Sequence, residues 1–310
     1  MAQTALLLDD LLTHHVTEVG HPERPERLIA IRKALASFED VAVLPARRAE
    51  LSEVTLCHEP SYVENVLRVI AAGETELAGG DVSVCEESGE VALHAVGGVI
   101  DVVDAVLTGR VRNAFCAVRP PGHHARPAAP MGFCLFNNIA IAARHAQKEH
   151  GVGRVAIIDW DVHHGNGTQE IFYSDGSVLF FSTHQWPWYP GTGHSSETGE
   201  DKGAGLIINC PLPAGSGRRE ILGAFRERLL PALEDFRPEL LLISAGFDSR
   251  AGDPLGQFLL TDGDFADLTG MLLDFGARAC DDRVISLLEG GYNLAGLGKA
   301  VAAHVSRLTA

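Results

Sequence analysis

Val155-Ala156-Ile157-Ile158-Asp159-Trp160-Asp161-Val162-His163-His164-Gly165 is an apolar run that breaks abruptly into ionisable residues. The short opening run reads as a strand buried on both faces of a parallel sheet. The period of two along a strand then directs Asp159, Asp161 and His163 to one side, and Trp160 and Val162 to the other, into apolar packing. A single Asp at a strand end is ordinarily a turn former or a helix cap. Three ionisable groups within five residues, beside a buried run, cost too much desolvation unless a cation sits among them.

Outward from this stretch the same grammar repeats. Apolar runs at 5–8, 41–44, 115–118, 155–158, 178–181, 206–208, 240–243 and 284–288 read as further buried parallel strands. Helical patterns lie between them. In 91–107, Leu93, Val96, Ile100, Val103 and Leu107 fall on one face, and in 265–279 an amphipathic run follows Thr261 and Asp264, spaced as a capping box with Asp in place of Glu. Strand and helix alternating in this way predict an α/β fold: a single domain over 1–310, three layers α/β/α, with a mostly parallel sheet of about eight strands. No linker, repeat or low-complexity tract interrupts it.

Composition supports a packed core: 46% of residues are hydrophobic and 21% charged, the balance of a globular chain rather than a disordered one. A formal net charge of -16 repels polyanions, so no nucleic-acid partner is expected. No stretch approaches the roughly 20 apolar residues of a membrane helix, and no leader is recognisable, so a cytoplasmic location without membrane attachment is expected. Cys57, Cys85, Cys116, Cys134, Cys210 and Cys280 form no C-x-x-C pair and sit mostly among apolar neighbours, as reduced thiols do.

In an open parallel sheet, ligands bind beyond the carboxyl ends of the strands. Glycine- and proline-rich stretches at 120–132, 191–205 and 245–256 follow strand candidates directly. One holds Asp248, which at the end of a neighbouring strand would complete an Asp161, His163, Asp248 set with open coordination positions. Two carboxylates and one imidazole suit zinc, although iron(II) and manganese are also tolerated. A second loop, Arg119-Pro120-Pro121-Gly122-His123-His124, presents paired histidines suited to acid and base work. A third, Glu289-Gly290-Gly291-Tyr292, turns sharply at its glycines and could aim the Tyr292 hydroxyl at an oxyanion.

Together these motifs resemble the zinc-dependent histone deacetylase family, within the arginase-deacetylase fold, and especially its class II and bacterial members. The resemblance runs through 21–27, 119–124, 131–138, 159–169, 246–256 and 290–293. It implies a hydrolase of acylated amines in which Asp161, His163 and Asp248 hold Zn2+, His123 and His124 serve as acid and base, and Tyr292 polarises the carbonyl. It also implies that Asp159 orients His123 and joins Ser182, Thr183 and the backbone of Asp161 and His163 around a structural K+. Phe172, Asp175, Val178 and Asn209 resemble a second potassium site. Asn166 stands where class I members carry an aspartate beside the second histidine; class II members carry asparagine there.

For the substrate, the resemblance makes Phe133, after Gly132, one wall of a tunnel, with Trp188 or Tyr189 opposite, and counts Gly290 and Gly291 among the substrate-binding residues. Relatives specialised for acetylated polyamines carry an acidic gatekeeper where this chain has Leu255, so an acyl-lysine peptide or protein ranks above a small acylated amine as partner. A manganese hydrolase of the arginase type, a small-molecule amidohydrolase and a non-catalytic binding protein are the competing readings. A homo-oligomer is left open. His58, His94, His145, His150 and His304 read as surface or hydrogen-bonded residues, His14 and His15 as rim residues of the pocket, and 21–27 as a charged brace near its entrance.

Overall fold

A computed structural model of the chain describes residues 4–77 and 81–310. Eight strands, β1 (Thr4–Leu7), β2 (Val41–Leu44), β3 (Asn113–Cys116), β4 (Val155–Asp159), β5 (Val178–Gln185), β6 (Ile207–Leu212), β7 (Leu240–Ala245) and β8 (Val284–Leu288), form one sheet. Its order is β2-β1-β3-β8-β7-β4-β5-β6, and every pairing is parallel. Parallel strands require crossovers, and helices supply them.

Every residue of β3, β4, β7 and β8 is buried, so both faces of the central sheet are covered. Helix Leu294–Leu308 packs between Glu26–Leu35 and Asp262–Ala279, and helix Ser88–Leu107 packs against Asn138–His150. The predicted capping box is present: Thr261 N–H donates to Asp264 Oδ2 at 2.8 Å and caps helix Asp262–Ala279. Trp160, fully buried, meets Phe225, Phe265 and His304, the apolar side that the period-two reading assigned to it. Truncating it to Ala is expected to cost about 3–5 kcal/mol.

All eight predicted runs are strands, six of them with shifted limits. β3 begins two residues before the apolar run, and β5 continues from Phe181 through Ser182, Thr183, His184 and Gln185, which pair with β6 and are buried although polar. All six cysteines are free. No helix among the described residues is long and apolar enough to cross a membrane.

Candidate active site and metal centre

Four consecutive strands in the sheet order, β3, β8, β7 and β4, deliver the four loops singled out in the sequence. Beyond β4, the Asp161 and His163 side chains meet Asp248 from the loop after β7, with their ligand atoms all within 4.8 Å of one another. His163 Nδ1 lies 3.1 Å from Asp161 Oδ1 and 3.2 Å from Asp248 Oδ2. The outer oxygens are held by backbone: Gly290 N–H donates to Asp161 Oδ2 at 2.8 Å and Val162 N–H to Asp248 Oδ1 at 2.9 Å. Asp248 Oδ2, however, is buried and accepts no hydrogen bond.

An orphaned buried carboxylate oxygen is costly, and a cation between it and its neighbours removes the cost. Burial, and then the Asp161 carboxylate, push the Asp248 acid up to about 7. Gly290 is required by the close approach: a Cβ there would stand 2.0 Å from Asp248 Oδ2. Three convergent O, N, O ligands with backbone-braced outer atoms fit a zinc-type ion.

The tandem histidines sit beside this cluster, ring centroids 4.0 Å apart, in different electrostatic settings. His123 Nδ1 lies 2.9 Å from Asp159 Oδ2, and its backbone N–H, with that of Gly122, donates to the buried Glu289 carboxylate. Burial pulls the His123 imidazolium down, but Asp159, Asp161 and Glu289 outweigh it and raise the group to about 10. A divalent ion on Asp161 acts in the opposite sense. His124 Nδ1 lies 2.7 Å from Asn166 Oδ1, while Asn166 Nδ2 donates to Met131 Sδ. An amide oxygen only accepts, so Nδ1 carries the proton and Nε2 keeps its lone pair. Burial, followed by the His123 and His163 charges, holds His124 well below 6.5.

Tyr292 is set by two supports. Its backbone N–H donates to Asp253 Oδ2 at 2.7 Å, and the Arg27 guanidinium lies over its ring at 4.9 Å. Arg27 also donates to the carbonyls of Gly291 and Glu289 and pairs with Glu23, which in turn holds Arg119. The charges of 21–27 thus brace the loop that carries Tyr292. His15 is buried against Ser88, and His14 lies in a separate surface hollow with Cys85 and Glu87; neither belongs to the rim.

A cavity of about 300 Å³ leads to the cluster, lined by His124, His163 and Tyr292 below and by Phe133, Trp188, Tyr189, Pro254 and Leu255 above, with Gly132 and Asp81 completing it. Tyr189 is the aromatic beside the histidines, 5.2 Å from the His124 ring; Trp188 donates from Nε1 to the Leu255 carbonyl nearer the entrance. Phe133 stacks edge-on to His21 and faces Tyr292 at 6.1 Å. Gly132 adopts φ 55, and a Cβ on it would meet the His124 ring at 2.3 Å.

The two potassium assignments fare differently in geometry. Asp159 is in register with Ser182, so these two members of the first set are neighbours; Thr183 faces the other side of β5, which leaves only its main chain on theirs. In the second set, Asp175 N–H donates to the Phe172 carbonyl near Val178, but Asn209 is in register with Ser182, four residues beyond Val178 or about 13 Å away. Asn209 is thus no ligand of a site built on Phe172, Asp175 and Val178; its Nδ2 donates to Gln169 and the Glu197 carbonyl.

Sequence reasoning gave no role to Asp81, Asp253 or Glu289. Asp81 accepts from Gly132 N–H at 3.0 Å and Tyr189 Oη at 2.6 Å, tying both tunnel walls together. Asp253 accepts from the backbone of Leu255, Tyr292 and Asn293. An isolated Asp among turn residues carries no signal of such long-range partners.

A parallel α/β sheet with this polar floor under an aromatic slot defines a class, that of deacetylases and related amidohydrolases. The chain belongs to the histone deacetylase family: the family model described as the histone deacetylase domain matches residues 21–308. It is 40% identical over 282 residues to a histone deacetylase-like amidohydrolase of Pseudomonas aeruginosa, covering 88% of this chain and 73% of that one. It is 41% identical over 306 residues to the human polyamine deacetylase HDAC10, covering 92% of this chain but 44% of that longer protein. The crystal structure of the HDA15 HD domain superposes with a TM-score of 0.94 at 38% identity, covering 100% of this chain and 90% of that one.

Proposed function

We propose that this chain is a zinc-dependent deacylase that hydrolyses the amide of acyl-lysine in a peptide or protein. The observation that carries the proposal is the orphaned Asp248 Oδ2 facing His163 and Asp161 at the floor of an aromatic slot. When bound there, zinc lowers the pKa of a coordinated water and polarises the amide carbonyl. His124, neutral and with Nε2 unprotonated, accepts the proton of the attacking water. His123, held cationic by Asp159, stabilises the developing negative charge and is the proton source for the departing amine. The Tyr292 hydroxyl donates to the carbonyl oxygen as it becomes anionic. Gly290 and Asp253 fix the two halves of this arrangement through backbone hydrogen bonds.

Phe133 and Tyr189 grip the methylene stem of lysine between flat faces. K+ at Asp159 and Ser182 stiffens the strand ends beneath His123; K+ at the turn of Phe172, Asp175 and Val178 is a second structural ion. A reducing compartment such as the cytoplasm suits the six free thiols. Two observations favour a second reading, acetylpolyamine hydrolysis: the identity to a polyamine deacetylase and the Asp81 carboxylate in the lining. Turnover of an acetyl-lysine peptide beside acetylspermidine separates them. Preference for the peptide supports acyl-lysine; strong preference for acetylspermidine overturns it.

A further inference from the structure

A second convergence of metal-binding side chains lies on the far side of the molecule. Asp104 sits in the last turn of helix Ser88–Leu107, and His145 and His150 in the last two turns of helix Asn138–His150. Both helices precede strands, β3 and β4, and so end at the amino edge of the sheet, opposite the edge that carries the catalytic loops. The cluster shares no residue with the catalytic cavity.

Its three ligand atoms are close enough to share one ion. His145 Nε2 and His150 Nε2 each stand 2.7 Å from the same oxygen, Asp104 Oδ1, and the three ligand atoms all fall within 4.8 Å. In a tetrahedral site with bonds of about 2.0–2.2 Å, neighbouring ligand atoms stand roughly 3.3 Å apart. Small side-chain rotations close that difference, since both backbones are fixed in helices. Side-chain exposure of 9%, 21% and 36% for His145, His150 and Asp104 leaves an entry path while excluding most water.

The surrounding field suits a cation. Two helices direct their carboxyl ends, and hence the negative ends of their dipoles, at this point. The neighbouring cations are engaged elsewhere: Arg47 by Glu53 and Asp101, Arg144 by Asp175 and Lys148 by Glu149. Two neutral imidazoles and one carboxylate make a borderline donor set with an open fourth position, which selects zinc-like ions over calcium or magnesium.

We infer that Asp104, His145 and His150 form a peripheral binding site for a divalent transition ion of the zinc type, which clips helix Ser88–Leu107 to helix Asn138–His150. The inference is independent of the deacylase reading, because no residue of the site enters the chemistry.

The test uses the whole 310-residue chain with the catalytic site loaded with zinc and excess metal removed, titrated with Zn2+ alone in a calorimeter. Wild type is expected to take up one further equivalent. His150→Gln and the isosteric Asp104→Asn are expected to weaken that uptake by at least about tenfold, the loss that even an outer partner of a metal ligand can cause. Both variants should retain wild-type kcat/KM, and their thermal unfolding reports that each has folded. Wild type that takes up no further equivalent, or folded variants that bind it within about tenfold of wild type, would overturn the site and leave only two hydrogen bonds to an aspartate.

Discussion

His124 Nδ1 stands 2.7 Å from Asn166 Oδ1, whereas His123 Nδ1 stands 2.9 Å from Asp159 Oδ2. Burial and the neighbouring imidazolium charges keep His124 neutral, and its amide partner adds no opposing charge, while Asp159 and the other nearby carboxylates hold His123 cationic, as a base and an acid side by side require.

Replacing the neutral partner tests this division. In Asn166→Asp a carboxylate favours the His124 imidazolium and raises its pKa. The base form then exists only at higher pH, so the acid limb of the kcat/KM profile should move up by about one pH unit or more. A pH–rate series on acetyl-lysine peptide measures it; an unmoved acid limb would show that His124 is not the titrating base.

Gly290 is the backbone bridge between Tyr292 and the metal ligands. In Gly290→Ala the new methyl falls where Asp248 Oδ2 now stands, so one must move. The expected result is loss of bound zinc and of most activity, read by metal analysis and turnover, with unfolding still cooperative. A Gly290→Ala enzyme with normal zinc content and rate would deny the close approach.

Leu255 sits at the entrance, with its carbonyl accepting from Trp188 Nε1 and its N–H donating to Asp253. A carboxylate in its place gives the second ammonium of a polyamine a partner. Leu255→Glu should therefore raise the ratio of acetylspermidine to acetyl-lysine turnover by up to about fivefold, the size of one partly exposed charge contact of about 1 kcal/mol. No change in the ratio would remove Leu255 from substrate choice.

Stability should fall with acid for a reason unrelated to catalysis. His58 Nε2 accepts the Asn137 N–H at 2.8 Å, and burial brings the group down to about 4; burial brings His304 down to about 3. Between those values and 6.5 the unfolded chain binds more protons than the folded one, so stability rises with pH across this window and is lost as pH falls through it. Each such histidine contributes a slope of about 1.4 kcal/mol per pH unit. Unfolding from about pH 7 to pH 4 should show a shallower decline in His304→Asn than in wild type; equal slopes would contradict the assignment.

Much of the molecule was legible because it repeats simple periods. Continuous apolar runs mark strands buried on both faces, and all eight such runs are strands. Asp159, Asp161 and His163 were readable as polar residues at every second position, although β4 ends at Asp159 and the last two lie in the bend that follows it. The polar half of β5 was not, since Ser182 to Gln185 are buried by a neighbouring strand and loops rather than by apolar character. Register likewise decided Asn209, whose pairing with Ser182 no local pattern announces. Asp81 and Asp253 act through partners 51 and 39 positions away, a distance at which one-dimensional patterns carry no information. His15 was misread because a histidine buried against Ser88 and Glu23 looks, in sequence, like any loop histidine.

The most direct test of the metal centre is the zinc content of purified wild type, Asp161→Ala and Asp248→Ala, measured alongside turnover of an acetyl-lysine peptide. Each variant should contain one equivalent of zinc fewer than wild type and lose nearly all activity while remaining folded. Variants that keep the wild-type zinc content, or that keep turning over substrate without it, would contradict the account.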